Sequence, residues 1–273
     1  MVEVCRRYGM RLVGPNCLGI MDTHTPLNAS FASRMPRRGE IAFISQSGAL
    51  GTAILDWSLA RGIGFSKFIS LGNKADLDET DFIELAAADG ETRVILSYIE
   101  NVTDGFRFMD VARLASRRKP IVVLKSGVSE AGARAATSHT GALAGNDRVY
   151  ETVFQQCGIV RAHTVQELFD LASVFVTQPR PAGRQVAIVT NAGGPGIIAA
   201  DRVELLGLAM ARLSRETVEA LRQKLPPEAS LYNPVDVIGD ARADRYAAAV
   251  DLVLADPNVH SLVVILTPQD MTE

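Results

Sequence analysis

The sequence predicts an α/β chain of two domains, each built on a doubly wound sheet of parallel strands. Three observations predict it. Short, nearly continuous apolar runs recur along the chain, as strands buried on both faces require. Amphipathic stretches of helical length separate them, the alternation of βαβ units. A length of 273 residues suits about two domains.

In chain order, the predicted strands are residues 41–45, 65–71, 94–99, 121–125, 186–190 and 262–266. The predicted helices are 49–61, 80–88, 105–117, 147–157, 165–175, 197–206, 216–224 and 245–255. Residues 2–9 read as the tail of a helix closed by Gly9, leading into a strand at 11–13. Pro179, Pro181 and Gly183 break the pattern, so the domain boundary falls there. The expected organisation is 1–22 as the remnant of a preceding domain, 23–178 as one domain and 183–273 as a second. A strand without a preceding partner, and a helix that would begin at Pro268, make both ends look cut.

Hydrophobic residues at 47% and charged residues at 22% describe a soluble globular protein. A net charge of −3 without a basic stripe argues against nucleic acid as a partner. No apolar run approaches membrane-spanning length, and the N-terminus lacks a signal-peptide core, so no membrane is implied. Three cysteines without a CxxC pair argue against a disulfide framework and a zinc site; no metal is assigned to this chain. A cytoplasmic location is the expectation.

Ligands of parallel α/β sheets sit beyond the carboxyl ends of the strands. Three loops there carry unusual residues. Ser45-Gln46-Ser47-Gly48 runs from a strand straight into a helix, whose free amides and partial positive charge suit an anion. The bland reading is a capping serine. Residues 130–145, centred on Ser138-His139-Thr140-Gly141, are poor in bulky side chains and read as an ordered surface loop. An imidazole there can act as a nucleophile, or merely bond a carbonyl. Asn191-Ala192-Gly193-Gly194-Pro195-Gly196 is a third strand-to-helix turn, without the GK[ST] of a P-loop. Glu100, at the tip of strand 94–99, could orient an imidazole or be solvated. His24, His163 and His260 have no such setting and are read as structural or solvated.

Together with Gly14-Pro15-Asn16-Cys17-Leu18-Gly19 and Asn233-Pro234-Val235-Asp236, these motifs resemble the succinyl-CoA synthetase superfamily, and within it the NDP-forming acyl-CoA synthetases, which include ADP-forming acetate–CoA ligases. The resemblance spans essentially the whole chain. It implies two flavodoxin-like domains and acid–thiol ligase chemistry that passes from acyl-CoA through acyl phosphate and phosphohistidine to a nucleoside diphosphate. It implies that His139 is phosphorylated and that Glu100 steadies it. Ser45, Gln46, Ser47, Gly48, Gly141, Asn191, Gly193 and Gly194 would bind phosphate. Pro15, Asn16 and Cys17 would lie near CoA and the thioester. CoA is the implied cofactor; ATP or ADP and Mg would sit on an ATP-grasp domain or subunit absent from this chain, which alone would be inactive. An acyl-CoA or carboxylate substrate and an oligomer are also implied. The alternative is a ligand-sensing, synthetase-like region of a protein acyltransferase. A flavin-binding domain pair is a third, poorer reading, because aromatics are only 6%.

Overall fold

The computed structural model describes residues 1–140 and 146–268, with the side chains of 136–140 outside that description. The chain divides into two compact units, Met1–Gln178 and Pro179–Glu273.

The first unit opens with α1 (Val2–Arg7) and a hairpin of β1 (Gly19–Asp22) and β2 (Leu27–Ser30). There follow β3 (Arg37–Ser45), α2 (Gly48–Arg61), β4 (Gly64–Ser70), α3 (Glu79–Ala88), β5 (Val94–Ile99), α4 (Gly105–Ser116) and β6 (Ile121–Lys125). The unit closes with α5 (Glu130–Thr140), α6 (Asp147–Cys157), β7 (Val160–Ala162) and α7 (Val165–Thr177). The sheet order is β2-β1-β4-β3-β5-β6-β7. Strands β3 to β7 are parallel, and β1 joins antiparallel to both β4 and β2, so the sheet is mixed. The parallel part, β4-β3-β5-β6-β7, has the flavodoxin-like order. The order reverses between β3 and β5, which opens a crevice at their carboxyl ends.

Both faces of this sheet are covered, which is why the strands read as unbroken apolar runs. Ala42 and Ile44 of β3 join Phe82, Phe108 and Phe154 from α3, α4 and α6. Ile41 and Phe43, pointing the other way, join Leu55 of α2 and Phe169 of α7. Aromatic rings fill that second layer, with Phe43 and Phe68 centroids 5.1 Å apart and Trp57 and Phe169 4.8 Å apart.

Three expectations for this unit change. Residues 11–13 are not a strand of the sheet. Their backbone lies along the loop after β4, where Leu12 O accepts from Leu77 N (3.2 Å) and Gly14 O from Ala75 N (2.9 Å), and Arg11 pairs with Asp76 (3.0 Å). The β1–β2 hairpin was not foreseen, and a boundary at 22/23 cuts through it, because residues 19–22 pair with β4. Residues 130–140 are helical rather than loop. Ala131, Ala133, Ala135 and Ala136 explain it, since small size suits a surface loop but alanine is the strongest helix former.

The second unit contains β8 (Gln185–Thr190), α8 (Gly193–Leu205), β9 (Ala209–Met210), α9 (Arg215–Lys224), β10 (Val235–Asp236), α10 (Ala243–Leu254) and β11 (Ser261–Ile265). β8 is central and parallel to β9, β10 and β11. The Asn233 side chain braces this sheet, donating to Val186 O (2.8 Å) and Ala211 O (2.9 Å) and accepting from Ile188 N (2.9 Å). Helix α8 starts four residues before the predicted 197, because Pro195 is tolerated in a first turn where its missing N–H has no partner to lose.

Candidate active site

A cleft of about 770 Å³ opens at the reversal between β3 and β5. Its walls come from residues 16–18, the start of α2, the loop after β4 and the loop after β5.

The start of α2 is shaped by its own side chains. Ser45 Oγ donates to Ser47 O (2.8 Å) and accepts from Ser47 N (3.1 Å), closing a tight turn. Ser47 is the N-cap and accepts from Leu50 N. The amides of Gly48 and Ala49, at the first two helical positions, have no intrahelical acceptor and border the cleft. The result is a set of donors at the positive end of a helix, suited to an anion.

The loop after β5 supplies the carboxylate. Glu100 and Asn101 line the cleft, and both their amides donate to Gln46 Oε1, at 2.8 and 3.1 Å. Gln46 Nε2 donates to Glu79 Oε2 (3.0 Å) and Asn101 O (2.8 Å). Behind them Lys74 reaches Glu79 Oε2 at 3.0 Å. Burial pushes the Glu79 carboxyl above the ordinary glutamate range, with Lys74 opposing. At the end of β6, burial likewise lowers the Lys125 ammonium, which lies 4.7 Å from the Tyr150 ring centroid. Tyr150 Oη in turn accepts from Val102 N (3.1 Å), just beyond Glu100.

The opposite wall is residues 16–18. Asn16 has a left-handed backbone (φ 54°) and donates to Asn73 Oδ1 (3.4 Å). Asn73 N donates to Pro15 O (2.9 Å). Gly72 is required there: its φ is +57°, and a Cβ on it would lie 2.3 Å from Pro15 O. Cys17 is half-buried, with its thiol 3.9 Å from Val13 O. Phe31, 90% exposed, stands at the rim.

The expected residues therefore separate by role. Asn16, Cys17, Gln46, Ser47, Gly48 and Glu100 meet in one cleft. Ser45 is fully buried and its hydroxyl is spent on Ser47, so it shapes the turn instead of contacting a ligand. The Gln46 amide has no hydrogen-bonding capacity left, so it acts through Glu100 and Asn101. In the second unit, the Asn191 side chain is committed to Thr267, donating to its O (2.9 Å) and accepting from its N (2.8 Å). Gly193 and Gly194 are exposed at the head of α8, with Asp236 beside Gly193. The His139 side chain and Gly141 lie outside the described residues; the backbone of His139 is in the last turn of α5. Of the other histidines, His24 bonds Gly39 O (3.0 Å) and Glu91 (2.8 Å), a structural role.

Sequence reasoning missed Lys74, Asn101, Asn73 and Phe31. The polar run Gly72-Asn73-Lys74 directly after a buried strand was the available signal, since ligands gather at such positions.

Residues 38–175 match the model of the succinyl-CoA ligase like flavodoxin domain. The chain belongs to this succinyl-CoA ligase family. Residues 186–269 match a second ligase-CoA domain model. Among relatives of the ligase family, acetate–CoA ligase [ADP-forming] I of Archaeoglobus fulgidus is 50% identical over 98% of this chain and 39% of its own length. Acetate–CoA ligase [ADP-forming] II subunit alpha of Pyrococcus furiosus is 50% identical over 97% of this chain and 58% of its own. The solved dinucleotide-forming acetyl-coenzyme A synthetase 1 of Ca. Korarchaeum cryptofilum, in complex with phosphate and ADP, matches with a TM-score of 0.93 at 38% identity, over 99% of this chain and 59% of that one. The chain thus spans about two fifths to three fifths of the length of these proteins. Among the described residues no helix is long and apolar enough to cross a membrane.

Proposed function

We propose that this chain carries the phosphoryl-relay part of an ADP-forming acyl-CoA ligase, with His139 as the carrier and the cleft at the start of α2 as the seat of the phosphoryl group. The observation that supports the reading most is the juxtaposition in one cleft of free amides at Gly48 and Ala49 with the Glu100 carboxylate. A phosphoryl group on nitrogen carries about two negative charges and is stabilised by amides and a helix N-terminus without cationic ligands. Phosphoryl transfer itself asks mainly for positioning and charge stabilisation.

In this reading, phosphate attacks the acyl thioester, the C–S bond breaks and CoA leaves as thiol. An imidazole nitrogen of His139 then attacks the acyl phosphate. The P–N bond forms, the P–O bond to the acyl group breaks, and the carboxylate departs with the electron pair. Glu100 accepts a hydrogen bond from the other ring N–H and balances the charge that develops on the ring. Transfer to ADP regenerates the free imidazole. Asn16 and Cys17 border the thioester side; in the second unit, Gly193 and Gly194 offer phosphate-binding amides of their own. CoA, ADP with its Mg, a nucleotide-binding partner domain or subunit, an oligomeric assembly and a cytoplasmic setting belong to the same proposal. The relatives carry ligase names, which favours this reading over a regulatory one.

The test is to incubate the assembled full-length enzyme with acetyl-CoA and labelled phosphate and look for acid-labile, base-stable label. His139→Asn is expected to abolish the label and turnover. Glu100→Gln is expected to retain label but to form it roughly 10-fold to 100-fold more slowly. Label that persists in His139→Asn would overturn the assignment.

A further inference from the structure

The Glu100 loop is held by a closed ring of four side chains drawn from four separate segments: Gln46 before α2, Lys74 after β4, Glu79 at the first position of α3, and Asn101 after β5. Lys74 Nζ donates to Glu79 Oε2 (3.0 Å), Asn101 O (2.8 Å) and Asn101 Oδ1 (3.1 Å). An ammonium has three N–H donors, and all three are used. Gln46 meets the same two oxygens, Glu79 Oε2 and Asn101 O. Its carbonyl takes both amides of residues 100 and 101. The amides of residues 100 and 101 and the carbonyl of Asn101 are therefore gripped, and the side chains that grip them converge on one carboxylate oxygen.

That carboxylate is fully buried, and Glu79 Oε1 has no protein partner among the described residues. The Lys74 side chain is only 7% exposed, and its backbone is left-handed (φ 52°), an uncommon conformation for a residue with a side chain. Burying an ion pair is costly, and apolar residues of the same volume are often no less stable there. A pair retained in this position is therefore better explained by what it orients than by the stability it adds. Among the described residues that line the cleft, Lys74 is also the one cation. Its position invites the reading of a phosphate ligand, but its donors are already engaged and its charge is offset by Glu79.

We propose that Lys74 and Glu79 are positioning residues: they lock the Glu100–Asn101 peptide so that the Glu100 carboxylate is presented to the imidazole. The inference rests on the function proposed above for Glu100 and His139, and it assigns the lysine no contact with phosphate. A positioning role predicts a loss in turnover, whereas a phosphate ligand predicts weaker phosphate binding.

The experiment uses Lys74→Met and the double variant Lys74→Met with Glu79→Met in the assembled full-length enzyme. The double variant removes both charges, so no uncompensated charge is left buried and folding is retained. Far-UV circular dichroism and the urea midpoint of the variant, compared with the wild-type enzyme, confirm it. The expected result for both variants is a kcat lower by roughly 10-fold to 100-fold with KM for phosphate and acetyl-CoA changed less than about twofold. A folded double variant with wild-type kcat overturns the proposal. A raised KM for phosphate at unchanged kcat also overturns it and makes Lys74 a ligand. Label on His139 of the wild-type enzyme is measured alongside. Its absence would sink the underlying function, whereas its presence with unaltered kcat in the variants sinks only this inference.

Discussion

The turn that leads from β3 into α2 and the one that leads from β8 into α8 are built on the same plan. In each a hydroxyl residue ends the strand, donates to the carbonyl two residues on, and accepts from the amide of that same residue: Ser45 with Ser47 (2.8 and 3.1 Å), and Thr190 with Ala192 (3.0 and 3.1 Å). In each the next residue is a carboxamide that grips the backbone at the end of the neighbouring parallel strand, Gln46 beyond β5 and Asn191 beyond β11. The equipment added to this plan differs. The first turn has a capping serine, a longer amide that also reaches Glu79, and a carboxylate held in a cleft. The second has Ala192 at the cap with no side-chain bond, exposed glycines, and Asp236 close by. The shared part makes a helix N-terminus; the added part makes a site.

The largest expected effect comes from removing the two amides. Gln46→Ala deletes four hydrogen bonds and leaves the amides of Glu100 and Asn101 and a buried carboxylate short of partners, a cost of about 3 kcal/mol. Asn191→Ala deletes two and is expected to cost about 1–2 kcal/mol. Urea unfolding, followed by Trp57 fluorescence for the first and by far-UV circular dichroism for the second, measures both. Equal costs would show that the extra reach of Gln46 contributes nothing, and the comparison would break.

Much of this was legible because burial on both faces writes itself into sequence. The runs at 41–45, 94–99 and 121–125 could hardly be anything but central strands. The β1–β2 hairpin was illegible because Leu27, Asn28 and Ala29 are exposed and β1 and β2 are only four residues each, too short for a period to show. The Ala-rich stretch at 130–140 misleads for a different reason: small side chains suit a surface loop and a helix alike, and here alanine's helix preference wins. At the site, Ser47 and Gly48 could be read because a local rule, the helix N-terminus, covers them. Lys74, Glu79 and Asn101 could not. The run Gly72-Asn73-Lys74 marks a loop at the ligand end of a strand, but the partnership of the three depends on four segments brought together by the strand order, and no spacing along the chain encodes that.

A smaller effect tests the electrostatic side of the difference. The first turn has a buried acid behind it, Glu79, and burial raises its pKa above the ordinary glutamate range despite Lys74. Between the unfolded and folded values, the native state holds a proton that the unfolded chain has lost. Stability relative to Glu79→Gln therefore falls as pH rises from the ordinary glutamate range through the folded pKa, and is recovered on acidification. Urea midpoints of the two proteins, compared from pH 4 upward by Trp57 fluorescence, should diverge in that direction. A difference that stays constant with pH would show a glutamate that titrates as if solvated.

The finest test exchanges the caps. Ser47→Ala makes the first turn resemble the second and should cost about 1 kcal/mol, the usual value of a lost N-cap. Ala192→Ser makes the second resemble the first. Residue 192 already has the extended backbone of a cap (φ −148°, ψ 122°), so a serine hydroxyl there can accept from an amide of the first turn and should stabilise by about 0.5 kcal/mol or more. Opposite signs of similar size would establish that the hydroxyl at this position serves the helix in both units. A Ser47→Ala protein of unchanged stability that instead binds phosphate roughly fivefold more weakly would assign the hydroxyl to the ligand. In that case the cap itself, and not only the groups gathered around it, would be what separates the two turns.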